Sequence, residues 1–200
     1  MIRVVVAEDQ GMVLGALVAL LRTAPDIEVV GTAHNGQEAL AVTSLKHPDV
    51  LLADIEMPVM SGIDCAAAVR GAGMTTRVLI LTTFARPGYL KRAIDAGAAG
   101  YLLKDSPPEA LADAVRRVHR GLRAIDQALA REDWRVDDPL TDRERETLRL
   151  TGNGRTGPEI AAQLGLSEGT VRNYLSEAMA KLHASTRVEA ARIARDNGWL

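Results

Sequence analysis

Three carboxylates, a hydroxyl and an ammonium follow or end four short apolar segments of this 200-residue sequence. They are Glu8 and Asp9, Asp54, Thr82 and Lys104. Clustered carboxylates repel one another unless a cation binds, and Mg²⁺ prefers oxygen ligands with few protein groups and several waters. A carboxylate beside Mg²⁺ can attack a phosphoryl group and form an aspartyl phosphate. The hydroxyl and the ammonium could then donate hydrogen bonds to the phosphoryl oxygens.

Each of these residues, taken alone, is better explained as the first polar residue of an exposed loop. That explanation weakens for the set, because all the required residue types stand at the ends of predicted strands. In LLADIEMPVMSG (51–62), Asp54 ends the apolar run and is the candidate nucleophile. Met57, Pro58 and Gly62 are interpreted as structural residues that shape the loop and begin the next helix.

The elements that must position these residues alternate between short β-branched runs and longer segments of helical period. Strands are predicted at IRVVVA (2–7), IEVVGTA (27–33), VLLA (50–53), RVLILT (77–82) and GYLL (100–103). Three of these runs are almost continuously apolar, as in a parallel sheet buried on both faces. The repetition predicts an α/β fold, a doubly wound (βα)5 domain with a parallel five-stranded sheet. Sites in such sheets lie at the carboxyl ends of the strands.

Composition indicates an ordinary globular protein, with 47% hydrophobic and 25% charged residues. The single cysteine, Cys65, excludes an internal disulfide and fits a reducing cytosol. The sequence shows neither a signal peptide nor a run of about 20 apolar residues, so we expect a cytoplasmic protein without direct membrane insertion. The net charge is −2, and residues 135–200 carry ten basic and ten acidic side chains, so DNA binding would require a local basic face.

The pattern changes after residue 120, which we take as the end of the first domain. Residues 121–138 are polar and are interpreted as a linker, and 139–200 as an all-α four-helix domain. PEIAAQLGLSEGTVRNYL (158–175) predicts a helix-turn-helix, whose second helix can enter the major groove of DNA. GNGRTG (152–157) matches G-x-G-x-x-G, but a dinucleotide site needs a preceding strand, and the segment before it has a helical pattern. We therefore interpret it as a turn.

Polar residues on and around the second helix are the candidate DNA contacts. Arg172 can address guanine or phosphate, Asn173 can address adenine or the backbone, and Ser176 lies on the same helix. Further candidate phosphate contacts are Arg155, Thr156, Thr170 and Lys181. Each of these could equally belong to the solvated face of a small helical bundle.

Residues 1 to about 120 resemble the receiver domains of two-component response regulators, through AEDQ (7–10), DIEMPVMSG (54–62), LTTFA (81–85) and GYLLKD (100–105). The resemblance implies that Asp54 is the phospho-acceptor and that Glu8, Asp9, Asp54 and the Glu56 backbone hold Mg²⁺. It implies a switch hydroxyl at Thr82, a phosphate-pairing lysine at Lys104 and an aromatic at Tyr101 whose rotamer reports the state. Many receivers have Pro after the lysine, often cis; Asp105 follows here, so this turn is expected to differ.

Residues 139–200 resemble the helix-turn-helix domain of the NarL/LuxR type, through LT-x-RE-x-E-x-L (140–148), EIA-x-x-L-x-L-S-x-x-TV (159–171) and KL-x-x-x-x-R-x-x-A (181–190). The resemblance favours Thr170, Val171, Arg172 and Lys181 as functional residues. Tyr174 stands where His is frequent, and Thr156-Gly157-Pro158 replaces the usual polar pair, so the operator sequence cannot be carried over. Within the family, the whole chain is most similar to the regulators of a membrane-lipid desaturase.

Together these domains predict a phosphorylation-activated transcriptional regulator, with a sensor histidine kinase and double-stranded promoter DNA as partners. The phosphorylated chain is expected to form a homodimer, because a dimer of small helix-turn-helix domains reads two half-sites. Apolar residues that look exposed suggest an interface between the first and fifth helices. They are Leu14, Val18, Leu111 and Val115.

Two alternatives remain open at this point. A phosphotransferase or phosphatase of the haloacid-dehalogenase type requires D-x-D, whereas Glu56 occupies the second position and the chain has no length left for a cap domain. A turnover enzyme is therefore not expected, although the aspartyl phosphate can hydrolyse on the protein itself. A phosphorylation-independent DNA-binding regulator would have a degenerate receiver, and the intact set Asp9, Asp54, Thr82 and Lys104 argues against that.

Overall fold

Strands and helices alternate along the first part of the computed structural model, which describes residues 1–83, 87–126 and 138–200. The strands are β1 (Ile2–Ala7), β2 (Ile27–Ala33), β3 (Val50–Asp54), β4 (Arg77–Thr82), β5 (Gly100–Leu103) and β6 (Ala124–Ile125). The helices are α1 (Gly11–Arg22), α2 (Gly36–Lys46), α3 (Gly62–Gly71), α4 (Pro87–Asp95) and α5 (Pro108–His119). The strands pair in parallel in the order β2-β1-β3-β4-β5-β6. The predicted α/β fold is confirmed.

Alternate strand residues divide the core of this sheet between its two faces. Val4 and Leu52 belong to one cluster with the inward side chains of α1 and α5. Val5 and Leu51 are also fully buried but lie outside that cluster, on the face toward α2, which contacts both β1 and β3. Burial on both faces explains why these strands read as continuous apolar runs.

The sheet has one strand more than the five predicted, because β6 lies within the predicted linker 121–138. The N–H of Ala124 donates to the carbonyl of Ala99 at 3.3 Å, and the N–H of Asp126 donates to the carbonyl of Tyr101 at 3.0 Å. A strand of two residues has no hydrophobic period, so sequence pattern could not reveal it. Residues 127–137 of the predicted linker lie outside the described residues.

The chain divides into two compact units, and the second holds the four helices predicted for the C-terminal domain. They are α6 (Asp142–Gly152), α7 (Gly157–Leu164), α8 (Glu168–Lys181) and α9 (Arg187–Asp196). Thr141 and Glu144 form a capping box at the start of α6: the N–H of Thr141 donates to Glu144 Oε2 at 2.7 Å, and the N–H of Glu144 donates to Thr141 Oγ1 at 3.3 Å. The first unit contains the sheet with α1, α2, α3, α5 and most of α4.

Glycine and serine residues shape the turns between the helices of the second unit. The segment 152–157 joins α6 to α7 as a turn, with Gly154 at φ +81°, so the dinucleotide-binding interpretation stays excluded. Gly165 ends α7 at φ +65°, a left-handed conformation that glycine adopts without steric cost. Ser167 then caps α8 by accepting a hydrogen bond from the N–H of Thr170 at 3.1 Å.

Among the described residues, no helix combines the length and the apolar character needed to cross a lipid bilayer.

Candidate functional site

Strand register brings the predicted chemical residues to one edge of the sheet. Ala7 of β1 pairs with Ala53 of β3, so the next residues, Glu8 and Asp54, stand at the same level. Asp54 pairs with Leu81 and Thr82 with Leu103, which places Thr82 and Lys104 one step further along the same edge. Since all the strands are parallel, this edge collects only carboxyl ends.

Three carboxylates form an acidic cluster at this edge. One oxygen each from Glu8, Asp9 and Asp54 lies within 4.8 Å of the others. Glu8 is fully buried and Asp54 is 6% exposed, whereas Asp9 is exposed. Carboxylate oxygens are the ligands that Mg²⁺ prefers, and few of them suffice because Mg²⁺ retains several waters. The donor set therefore fits this ion.

Lys104 bridges two of these carboxylates. Its Nζ lies 2.7 Å from Glu8 Oε2 and 3.1 Å from Asp54 Oδ1. Burial raises the pKa of Asp54 above its ordinary 3.8, and the charge and hydrogen bond of Lys104 offset only part of that rise. Burial also disfavours the ammonium form of Lys104, but its hydrogen bond with Glu8 and the charge of Asp54 outweigh this effect and raise the pKa of Lys104. Lys104 is therefore a charged ammonium in contact with the candidate nucleophile.

Thr82 and Tyr101 occupy adjacent strands beside this cluster. Each is 1% exposed, and the carbonyl of Thr82 accepts a hydrogen bond from the N–H of Lys104 at 2.7 Å. Pairing of β4 with β5 thus extends one residue past β5, to the lysine itself. The expected switch hydroxyl, the aromatic and the lysine belong to one continuous stretch of paired backbone.

The loop after Asp54 is held by short backbone hydrogen bonds. The N–H of Met60 donates to the carbonyl of Pro58 at 2.7 Å across Val59, whose φ is +68°. This is a γ-turn of the strained kind, and a β-branched residue at positive φ is an outlier. The side chain of Val59 is 79% exposed. Glu56, the proposed backbone ligand, is also exposed on this loop.

Gly62 begins α3 in close contact with the end of β3. The N–H of Gly62 donates to the carbonyl of Ile55 at 3.1 Å. A Cβ at position 62 would collide with the carbonyl oxygen of Asp54. The close approach explains the glycine and agrees with its interpretation as a structural residue.

Exposed polar residues on α8 form the predicted DNA-facing surface. Arg172, Asn173 and Ser176 are all exposed, and Ser176 stands one helical turn beyond Arg172. Arg155 and Thr156 are exposed before α7, where both contact Glu159: Arg155 Nη1 lies 3.6 Å from Glu159 Oε1, and Thr156 Oγ1 donates to Glu159 Oε2 at 2.9 Å. These five side chains are available at the surface of the second unit.

The other three candidate DNA contacts face inward or are already bonded. Val171 is 1% exposed and belongs to the core of the second unit, so its predicted side-chain contact with DNA is wrong. Lys181 Nζ lies 2.8 and 2.7 Å from the carboxylate oxygens of Glu144, whose side chain is 1% exposed. Thr170 is half-buried, with its hydroxyl 2.9 Å from the hydroxyl of Ser167. Sequence reasoning missed the role of Glu144 as the buried partner of Lys181, because nothing in the spacing of the two residues indicates that they meet.

The residues chosen for the dimer interface are mostly core residues. Leu14 is 7% exposed, Leu111 4% and Val115 0%, and all three pack in the cluster shared by α1 and α5. Only Val18 is partly exposed. The premise that these side chains are exposed is therefore wrong for three of the four, because α1 and α5 turn these positions toward the sheet.

Comparison with known proteins agrees with the fold of both units. Residues 4–116 match the family model of the response regulator receiver domain, and residues 138–194 match that of the bacterial regulatory proteins of the luxR family. The chain therefore belongs to the response regulators that combine a receiver domain with a LuxR-type DNA-binding domain.

Relatives of similar length include two transcriptional regulatory proteins of Bacillus subtilis (strain 168). YvfU is 50% identical over 200 residues, which is 100% of both chains. DesR is 46% identical over 199 residues, covering 100% of this chain and 99% of DesR, which bears out the likeness expected within the family. The crystal structure of ChrA, a response regulator of a heme-sensing two-component system, is 34% identical with a TM-score of 0.59, and the match covers 100% of this chain and 98% of ChrA.

Proposed function

We propose that this protein is a cytoplasmic, phosphorylation-activated regulator whose receiver accepts a phosphoryl group on Asp54 and thereby promotes dimerisation and promoter binding. The observation that supports this most is the meeting of Glu8, Asp9, Asp54 and Lys104 at one edge of the sheet, in a chain that also carries an exposed recognition helix. The phosphoryl donor is a phosphohistidine on a sensor kinase.

In the transfer step, a carboxylate oxygen of Asp54 attacks phosphorus and forms an acyl phosphate. The bond between phosphorus and the imidazole nitrogen of the donor breaks, and the nitrogen keeps the electron pair and takes up a proton. Glu8, Asp9, Asp54 and the carbonyl of Glu56 would hold Mg²⁺, which would supply positive charge for the phosphoryl oxygens. The ammonium of Lys104 stands 3.1 Å from Asp54 Oδ1 and is placed to pair with the same oxygens.

The switch follows from the charge that phosphorylation adds. An acyl phosphate carries nearly two negative charges at neutral pH where the carboxylate of Asp54 carried one, so Lys104 gains a stronger partner than Glu8. The hydroxyl of Thr82 moves to donate to the phosphoryl group, and Tyr101 follows it. The loop between β4 and α4, expected to move inward, includes residues 84–86, which lie outside the described residues.

DNA recognition is assigned to α8. Arg172, Asn173 and Ser176 address the bases or the phosphates from the exposed face of this helix, with Arg155 and Thr156 as flanking contacts. A homodimer presents two such helices to two half-sites. Phosphorylation therefore acts on DNA affinity through the population of dimers.

The test compares DNA affinity with and without phosphorylation. A duplex is first selected from a random-sequence library with the full chain treated with acetyl phosphate and Mg²⁺, and its Kd is then measured for treated and untreated protein. We expect tighter binding after treatment and no change for Asp54→Ala, which should incorporate no phosphate. Equal affinities for treated and untreated wild type would contradict the switch and favour a phosphorylation-independent regulator. Multiple turnovers with small phosphate esters would instead indicate an enzyme.

A further inference from the structure

A hydrogen bond joins the turn after Lys104 to the sixth strand. The hydroxyl of Ser106 donates to Asp126 Oδ2 at 2.5 Å, and both side chains are half-buried. Asp126 directly follows β6, and its N–H donates to the carbonyl of Tyr101 at 3.0 Å. Asp126 is thus bonded both to β5 and to the turn that leaves β5.

The start of β6 is also firmly attached. Leu122 donates its N–H to the carbonyl of Arg117 at 3.0 Å, and Arg117 Nη2 donates to the carbonyl of Arg123 at 3.0 Å. Gly100 of β5 lets the two strands approach, because a Cβ at this position would lie 2.8 Å from the carbonyl oxygen of Ala124. An anchored β6 gives Asp126 a defined position from which to hold Ser106.

The turn that Ser106 belongs to carries the phosphate-pairing lysine. Lys104 donates its N–H to Thr82, and Ser106 donates its N–H to the carbonyl of Leu103 at 3.2 Å. Asp105 between them lacks the ring with which proline restricts a turn. No cis peptide bond occurs among the described residues, this turn included. The bond from Ser106 to Asp126 is a side-chain restraint on this segment.

We propose that Ser106 and Asp126 form a positioning pair: it holds the turn so that the ammonium of Lys104 meets the phosphoryl group on Asp54, and it passes the displacement of Lys104 on to β6. The inference rests on the proposed function, because it requires Asp54 to be phosphorylated. Asp126 is the last described residue before 127–137, the segment that leads along the chain to the second unit.

The experiment uses the full chain with acetyl phosphate and Mg²⁺ as the phosphoryl donor. Ser106→Ala, Asp126→Ala and the double variant are compared with Ser106→Thr, which keeps the hydroxyl. Thr23→Ala is the matched control, because it removes a hydroxyl hydrogen bond of 2.7 Å to Leu20 elsewhere in the same unit. The initial rate of phosphorylation and the amide hydrogen exchange of residues 124–126 are both measured, the latter with and without donor.

A misplaced catalytic group costs up to about a hundredfold in rate, so the loss of one restraint is expected to slow phosphorylation by about three- to tenfold. The double variant should be no slower than the single variants, because both remove the same bond. Ser106→Thr and Thr23→Ala should keep the wild-type rate. Exchange at 124–126 should change on phosphorylation of the wild type but not of fully phosphorylated Ser106→Ala.

Three other outcomes would contradict, in turn, the positioning role, the coupling to β6 and the proposed function itself. Rates within about twofold of wild type for both single variants would overturn the positioning role and leave the proposed function standing. Slow variants whose exchange still responds to phosphorylation as in wild type would overturn the coupling to β6. A wild type that incorporates no phosphate on Asp54 would overturn the inference together with the proposed function.

Discussion

Lys181 Nζ lies 2.8 Å from Oε1 and 2.7 Å from Oε2 of Glu144, a carboxylate that is 1% exposed. The pair ties the end of α8 to the beginning of α6. A basic residue at this point of a DNA-binding domain would ordinarily be assigned to the phosphate backbone. The geometry instead pairs its charge with the buried carboxylate of Glu144.

Lys181→Met is therefore expected to lower stability without removing a phosphate contact. Breaking a buried pair costs about 3–5 kcal/mol, and we expect about 2 kcal/mol here because Lys181 is itself 35% exposed. Urea unfolding gives this value. The slope of log Kd against log salt for DNA should stay unchanged, whereas Arg172→Ala, the control, should reduce it by about one if Arg172 contacts a phosphate. If Lys181→Met instead reduced this slope by about one, Lys181 would be shown to contact a DNA phosphate.

The same pair makes the effect of Lys181→Met pH-dependent. Burial alone would raise the pKa of Glu144, but its bonds to Lys181 and Thr141 reverse this and lower the pKa below the ordinary 4.5. A carboxyl with a lowered pKa stabilises the fold above its unfolded pKa and loses that contribution as the pH falls through the folded pKa. The stability difference between wild type and Lys181→Met should be full at pH 7 and shrink below about pH 4.5.

Asp54→Asn should make the protein more stable at neutral pH while abolishing phosphorylation. Burial raises the pKa of Asp54 above 3.8, so the folded state binds its proton more tightly than the unfolded state does. The ionised carboxylate therefore lowers stability, and this effect weakens as the pH falls through the raised pKa toward 3.8. Denaturant unfolding at pH 7.5 and pH 4.5 should show a gain that is larger at pH 7.5. Asp9→Asn serves as the exposed control, and an Asp54→Asn protein less stable than wild type at pH 7.5 would contradict the prediction.

Val59→Asn is expected to stabilise the receiver by about 1 kcal/mol. Non-glycine residues at positive φ cost about 1–3 kcal/mol, and Asn tolerates this region better than β-branched residues do. The Val59 side chain is 79% exposed, so little buried apolar contact is lost. Thermal unfolding should show a higher Tm for Val59→Asn, while Val59→Ile, which is also β-branched, should match the wild type. A lower Tm for the Asn variant would mean that the Val59 side chain makes a contact whose stabilisation exceeds the cost of the strained backbone.

Substitutions on the two faces of α1 are expected to have different effects: one on the buried face lowers stability, and one on the exposed face affects dimerisation only. Leu14→Ala should cost about 2–5 kcal/mol of unfolding free energy, because it leaves a cavity in the core between α1 and α5. Ala16 and Ala19 are exposed on the same helix. If α1 does contribute to a dimer, Ala16→Glu should leave the Tm unchanged and weaken the dimer formed with acetyl phosphate and Mg²⁺, as measured by sedimentation. A dimer of normal strength in Ala16→Glu would exclude this face of α1.

Local pattern predicted the sheet well, and the reason lies in burial. β1, β2, β4 and β5 have the predicted bounds, and β3 continues one residue further, to Asp54. Strands buried on both faces leave long apolar runs that end abruptly, and those ends mark the edge where Asp54 and Lys104 meet. What the pattern could not show depends on tertiary contacts: Leu14 looks like a surface residue until the packing of its helix is known. The pairing of Lys181 with Glu144 joins residues 37 positions apart, beyond the reach of any local period.

Gly62 is expected to be the position least tolerant of mutation near the edge of the sheet where Asp54 and Lys104 meet. Because any side chain at this position would displace the carbonyl of Asp54, a substitution there would move the proposed acceptor carboxylate without altering any group proposed to touch phosphate. Such a variant would take up as little phosphate as Asp54→Ala, but the cause would be a shift of the backbone and not the loss of a reacting side chain. In a saturation screen, the deepest loss of signalling outside the reacting side chains should therefore fall on a residue that has no side chain at all.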